Sequence, residues 1–152
     1  MVKVYSQEIK DWDQRLKKGE LHMVCVASGG LTACDCAACT VGNLDRDNEV
    51  WPFTIKVNEN GETGSFYPKL NLTVVPILEW DNRNYPKNPS LFIENSFYDV
   101  LLANKNYIKS NTLLVDLNGY GVQYPYKEAR IIAEKVLTTD PNITEIYFTP
   151  EM

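Results

Sequence analysis

Four cysteines fall between residues 25 and 39, at Cys25, Cys34, Cys36 and Cys39, and the Ser28-Gly29-Gly30 turn stands among them. Such a stretch could hold a metal, present a reactive thiol or cradle an anion. A structural zinc site wants two close ligand pairs separated by a longer loop. Here there is one close group and no second pair, and the only histidine, His22, lies three positions before Cys25, on the opposite face if both sit on a strand. No metal site is expected. A reactive thiolate needs nearby cations or a helix N-terminus. No Lys, Arg or His lies between Cys25 and Cys39, and Asp35 adds the wrong charge. Thr32 and Asp35 have capping-box spacing, which puts Cys34 in the first turn of a short helix and makes it the candidate thiol. The plainer reading makes residues 33–40 a small-residue helix in which Cys36 and Cys39 act as compact hydrophobes. Free thiols are expected, as in a reducing cytosol.

The turn carries more chemistry than the cysteines. An apolar strand, then Ser28-Gly29-Gly30, then a helix capped by Thr32 is an arrangement in which free backbone N–H groups and a helix dipole meet an anion. Residues 24–33, VCVASGGLTA, resemble the SGGxDS loop with which PP-loop ATP pyrophosphatases wrap pyrophosphate. Thr32 and Ala33 stand where that family has Asp and Ser, so the chain is not assigned to it. A second candidate is DLNGYG, residues 116–121, after another apolar strand. Ligands of open α/β sheets sit beyond the carboxyl ends of strands. If the two strands are parallel, Asp116, Asn118 and Gly119 share an edge with Ser28, Gly29 and Gly30. Asp116 is then a base, a hydroxyl acceptor or an ordinary turn residue. A nucleophilic triad would have to use His22, which its apolar strand marks as a core residue instead. Glu79 and Asp81 share a strand face but read as solvated acids at a strand end.

These residues need elements to position them. Tyr5, Ile9, Trp12 and Leu16 recur at helical steps, so residues 6–18 read as a helix with Ser6 as N-cap and Gly19 as stop. Residues 20–28 form an apolar run typical of a strand buried on both faces. Residues 50–57 alternate, and Asn60-Gly61 predicts a hairpin to the next strand. Residues 69–80 read as a strand whose Pro76 argues for an edge or a bulge. Pro89 opens a helix with Ile93, Phe97, Val100 and Leu101 on one face. The last forty residues read strand, helix, strand, a βαβ unit with Ala129, Ile132, Ala133, Val136 and Leu137 on the helix's apolar side. The expected fold is α/β, with mixed α+β the near variant. It is a single domain over residues 1–152 with a mixed sheet of roughly five or six strands, flanking helices and the C-terminal βαβ unit.

Composition narrows the class. The net charge of −5 removes the basic footprint that direct nucleic-acid binding requires. No apolar run reaches a membrane span, and the first residues lack a signal peptide's apolar stretch, so a soluble cytoplasmic protein is expected. Eleven Lys against four Arg suits A+T-rich coding, as in a phage or mobile-element accessory protein. The reading that follows is a non-catalytic binding protein for a small anionic ligand or a protein partner, with no cofactor. Its ligand residues would be Ser28, Gly29, Gly30, Thr32, Asp116, Asn118 and Gly119. The alternative is a small enzyme that holds a phosphorylated or nucleotide-like substrate on the Ser28-Gly29-Gly30 turn, with Asp116 or Cys34 for chemistry.

Overall fold

The computed structural model describes residues 1–27, 53–56, 63–67, 70–76, 85–120 and 124–151. Its centre is a seven-stranded mixed sheet in the order β1-β7-β6-β2-β5-β4-β3. The strands are β1 (Lys3–Tyr5), β2 (His22–Ala27), β3 (Phe53–Lys56), β4 (Thr63–Tyr67), β5 (Leu72–Pro76), β6 (Thr112–Asp116) and β7 (Glu145–Phe148). Strands β1, β7, β6, β2 and β5 run parallel. β4 pairs antiparallel with β5, and β3 with β4. The α/β class, the hairpin and the parallel βαβ unit are therefore as read from the pattern.

Both faces of the sheet are covered, which is why the central strands carry nearly unbroken apolar sequence. Alternation sends Val24, Val26, Leu113, Val115, Ile146 and Phe148 into one core. Met23, Cys25, Leu114 and Val74 enter a second core on the other side. The first core is closed by α2 (Pro89–Ala103) and α3 (Tyr126–Leu137), and the second by α1 (Trp12–Lys17). Helix α2 starts on Asn88, whose side chain accepts the Leu91 N–H at 3.1 Å, with Pro89 in its first turn. It buries Phe92, Ile93, Phe97 and Val100. Helix α3 buries Ala129, Ala133, Val136 and Leu137, so small residues let it lie close to the sheet.

Three expectations are corrected. The helix read over residues 6–18 is confined to Trp12–Lys17, with Asp11 rather than Ser6 at its N-cap. Tyr5, counted in its stripe, belongs to β1, where it pairs with Tyr147 and stacks on that ring at 4.6 Å. Pairing with β7 gives this segment a ladder and a ring contact that a helix would forfeit. β1 is also the strand missing from the expected count. Finally, Pro76 marks no edge: β5 lies between β2 and β4, and Pro76 is the last residue of the strand, opposite Ala27. Gly19 does end α1, at φ +75°.

Candidate functional site

The chain order of the strands locates the crevice. β2 and β6 are parallel neighbours, yet the strand that follows β6 is β7, on one side, and the strand that follows β2 is β3, at the far edge on the other. The next strands along the chain therefore lie on opposite sides of the β2–β6 pair. This is the switch point at which open α/β sheets leave room for a ligand. In register, Cys25 faces Asp116 and Ala27 faces Pro76, so three strand ends reach this edge together.

Asp116 ends β6. Its Oδ1 accepts the backbone N–H of Asn118 at 3.0 Å and the Asn118 side-chain amide at 3.0 Å. That is an Asx turn, and it folds residues 118–120 into a single turn of 3-10 helix. The Asn118 amide donates again, to the carbonyl of Pro150 at 3.3 Å. Both of its N–H donors thus serve the protein, and they fix which end of the amide is which. Gly119 is required by contact rather than by backbone angle. A Cβ there would stand 2.5 Å from the Val26 carbonyl oxygen, so the turn rests directly on β2, one residue short of its described end.

A segment that the sequence did not single out supports this turn. Beyond β7, the Thr149 N–H donates to the Val115 carbonyl at 3.0 Å, and the Tyr126 hydroxyl donates to the Thr149 carbonyl. Burial pushes the Tyr126 phenol above its ordinary pKa, with Arg130 pulling the other way, so it stays a donor. Arg130 lies over the Phe148 ring at 4.7 Å. Thr149 and Pro150 are thereby strapped to the end of β6 and the start of α3. Nothing in the sequence pattern pointed to this strap.

Of the expected ligand residues, Asp116, Asn118 and Gly119 are gathered at this edge. Ser28, Gly29, Gly30 and Thr32 lie outside the described residues, as do Cys34, Cys36, Cys39, Glu79 and Asp81. The free-thiol expectation is corrected at Cys25, which is disulfide-bonded and fully buried. Cysteine spacing alone does not separate a thiol paired in a disulfide from a lone one. Among the described residues no group of three or more His, Cys, Asp and Glu could hold a metal ion. Among them, too, no helix is long and apolar enough to cross a membrane.

His22 is a core group at the opposite end of β2. It is fully buried, with Nδ1 3.2 Å from Asn104 Oδ1 and Nε2 2.8 Å from Thr73 Oγ1. Asn104 has no freedom to flip: its Nδ2 donates to the Ser110 carbonyl at 2.9 Å and its Oδ1 accepts the Ser110 N–H at 3.1 Å. Oδ1 must therefore accept from His22, which sets the Nδ1–H tautomer and leaves Nε2 to accept from Thr73. Burial lowers the His22 pKa to about 3, with the Asn104 bond opposing.

No protein-family model matches the chain, and neither does any curated protein sequence. Solved structures do. The fold is similar to the macrodomain of Thermus aquaticus DarG, with a TM-score of 0.55 and 11% identity over 98% of this chain and 97% of that one. It is similar to the macrodomain of Mycobacterium tuberculosis DarG, with a TM-score of 0.50 and 8% identity over 99% of both chains. Alphavirus P23pro-zbd matches with a TM-score of 0.52 and 13% identity over 97% of this chain and 22% of that one. At these identities the likeness establishes the fold: a mixed α/β sheet domain of macrodomain shape.

Proposed function

We propose that this chain is a non-catalytic binding module for a small anionic, nucleotide-like ligand, held beyond the carboxyl ends of β2 and β6. The observation that carries the proposal is the switch point itself, where Gly119 is pressed on the Val26 carbonyl and the chain leaves β2 toward Ser28. The Ser28-Gly29-Gly30 turn would offer its N–H groups to the anion, with Thr32 capping the helix behind it. Asp116 and Asn118 would hold the facing turn in shape. The Asp116 carboxylate anchors this turn through Oδ1, which suits a binding role. A phage or mobile-element setting is the context that the Lys-rich composition suits.

The macrodomain likeness makes ADP-ribose the first probe, since it joins a diphosphate to two riboses and a base. Calorimetric titration should show saturable binding of one ADP-ribose, lost in Gly30→Val, whose side chain would screen the N–H groups. An absence of heat with wild-type protein, or full binding by Gly30→Val, would remove the reading.

A further inference from the structure

At the other end of the sheet a second groove lies where β6 and β7 begin. It runs between the last turns of α2 and the loop that joins α3 to β7. Its apolar half encloses about 480 Å³, with Tyr98, Leu101, Leu102 and Pro141 on its walls. Its polar half encloses about 260 Å³ beside Lys105, Lys109, Asn111 and Asn142. Lys105, Asp140 and Asn142 border both halves, so the two are continuous. The apolar half is by itself of ligand size, and the polar half extends it.

The walls are preformed. After Ala103 the helix widens into a π-turn, Asn104–Ile108, a distortion often met at functional sites. It ends on Lys109, whose N–H donates to the Asn104 carbonyl at 2.7 Å and whose φ is +58°. Glycine or asparagine ordinarily fills such a position, and a lysine there is strained. The facing loop is tied to itself: Thr139 Oγ1 donates to the Val136 carbonyl at 2.6 Å, and the Asn142 N–H donates to Asp140 Oδ1 at 2.9 Å. Asp140, the one acid among the groove's lining residues, accepts this bond from its own loop, and the two lysines outnumber it. Among the described residues neither Lys105 nor Lys109 forms an ion pair, whereas Lys135 pairs with Glu94. Tyr98 and Leu102, on the α2 face above the apolar half, are exposed.

We propose that this groove is a second binding site, for a small amphipathic anion. The apolar body would lie against Tyr98, Leu102 and Pro141, and the anionic head would sit between Lys105 and Lys109. Charge complementarity commits the occupant: an acidic protein keeps two unpaired cations at the polar end of an apolar slot. The site is independent of the one beyond β2 and β6.

Octanoate is the probe, with octyltrimethylammonium as the equal-length cation. Calorimetry should show octanoate binding and no binding of the cation. Lys109→Gly suits the left-handed backbone and so keeps the fold. It should weaken octanoate about fivefold, the factor that a partly exposed ion pair of about 1 kcal/mol represents. Leu102→Asp, at an exposed position, should abolish binding. Absence of octanoate binding, equal binding of the cation, or wild-type affinity in both variants would overturn the proposal.

Discussion

His22 shows how one residue's surroundings set its chemistry. Its folded pKa of about 3 lies below the ordinary 6.5, so the unfolded chain takes up the proton first as pH falls. The sign follows. Above 6.5 the group leaves stability unchanged, and between 6.5 and about 3 the folded state loses up to about 1.4 kcal/mol per pH unit. We expect the ring to stay neutral as the Nδ1–H tautomer by nitrogen chemical shift down to about pH 4; a midpoint near 6.5 would mean that the ring reaches water. Gly119 is a steric case. Gly119→Ala places a methyl group 2.5 Å from a backbone oxygen that cannot swing aside, and should cost about 1–3 kcal/mol in denaturant unfolding while weakening ADP-ribose binding. An unchanged midpoint would show that the turn does not rest on β2. Cys25 should resist alkylation in unreduced, denatured protein and react after reduction. Labelling before reduction would restore the free-thiol reading.

At the scale of elements, helix α3 is the part most plainly written in the sequence. Its apolar residues repeat at the helical period and the strands on either side are compact, so β6-α3-β7 could be read directly. Ala133→Asp should lower stability by several kcal/mol, because it buries a carboxylate on a fully covered face. A wild-type denaturant midpoint would place Ala133 elsewhere. The N-terminal segment was less legible. Tyr5 and Ile9 fit a helical stripe by spacing, but pairing with a strand at the other end of the chain, Lys3 with Glu145 through Tyr5 with Tyr147, leaves no local trace. The same holds for the strap at Thr149 and Pro150, whose partners Val115, Asn118 and Tyr126 are distant in sequence. Tyr126→Phe removes one bond of that strap. It should speed amide exchange at Asn118 and Gly119 with little change in the core strands; unchanged exchange would detach the strap from the turn.

For the whole molecule, the candidate edge was legible as far as the turn that begins at Asp116, because it follows an apolar strand; Ser28-Gly29-Gly30 was read in the same way and lies outside the described residues. That β2 and β6 are adjacent and parallel, and that chain order reverses between them, is a property of topology alone. The central claim is that a nucleotide-like ligand occupies this reversal. The direct measurement is a map of backbone amide shifts as ADP-ribose is added. The largest changes should fall on Ser28 to Gly30 and on Asn118 and Gly119, while Lys105, Lys109 and the residues around His22 stay still. Changes confined to the opposite end of the sheet, or none at saturating ADP-ribose, would contradict it.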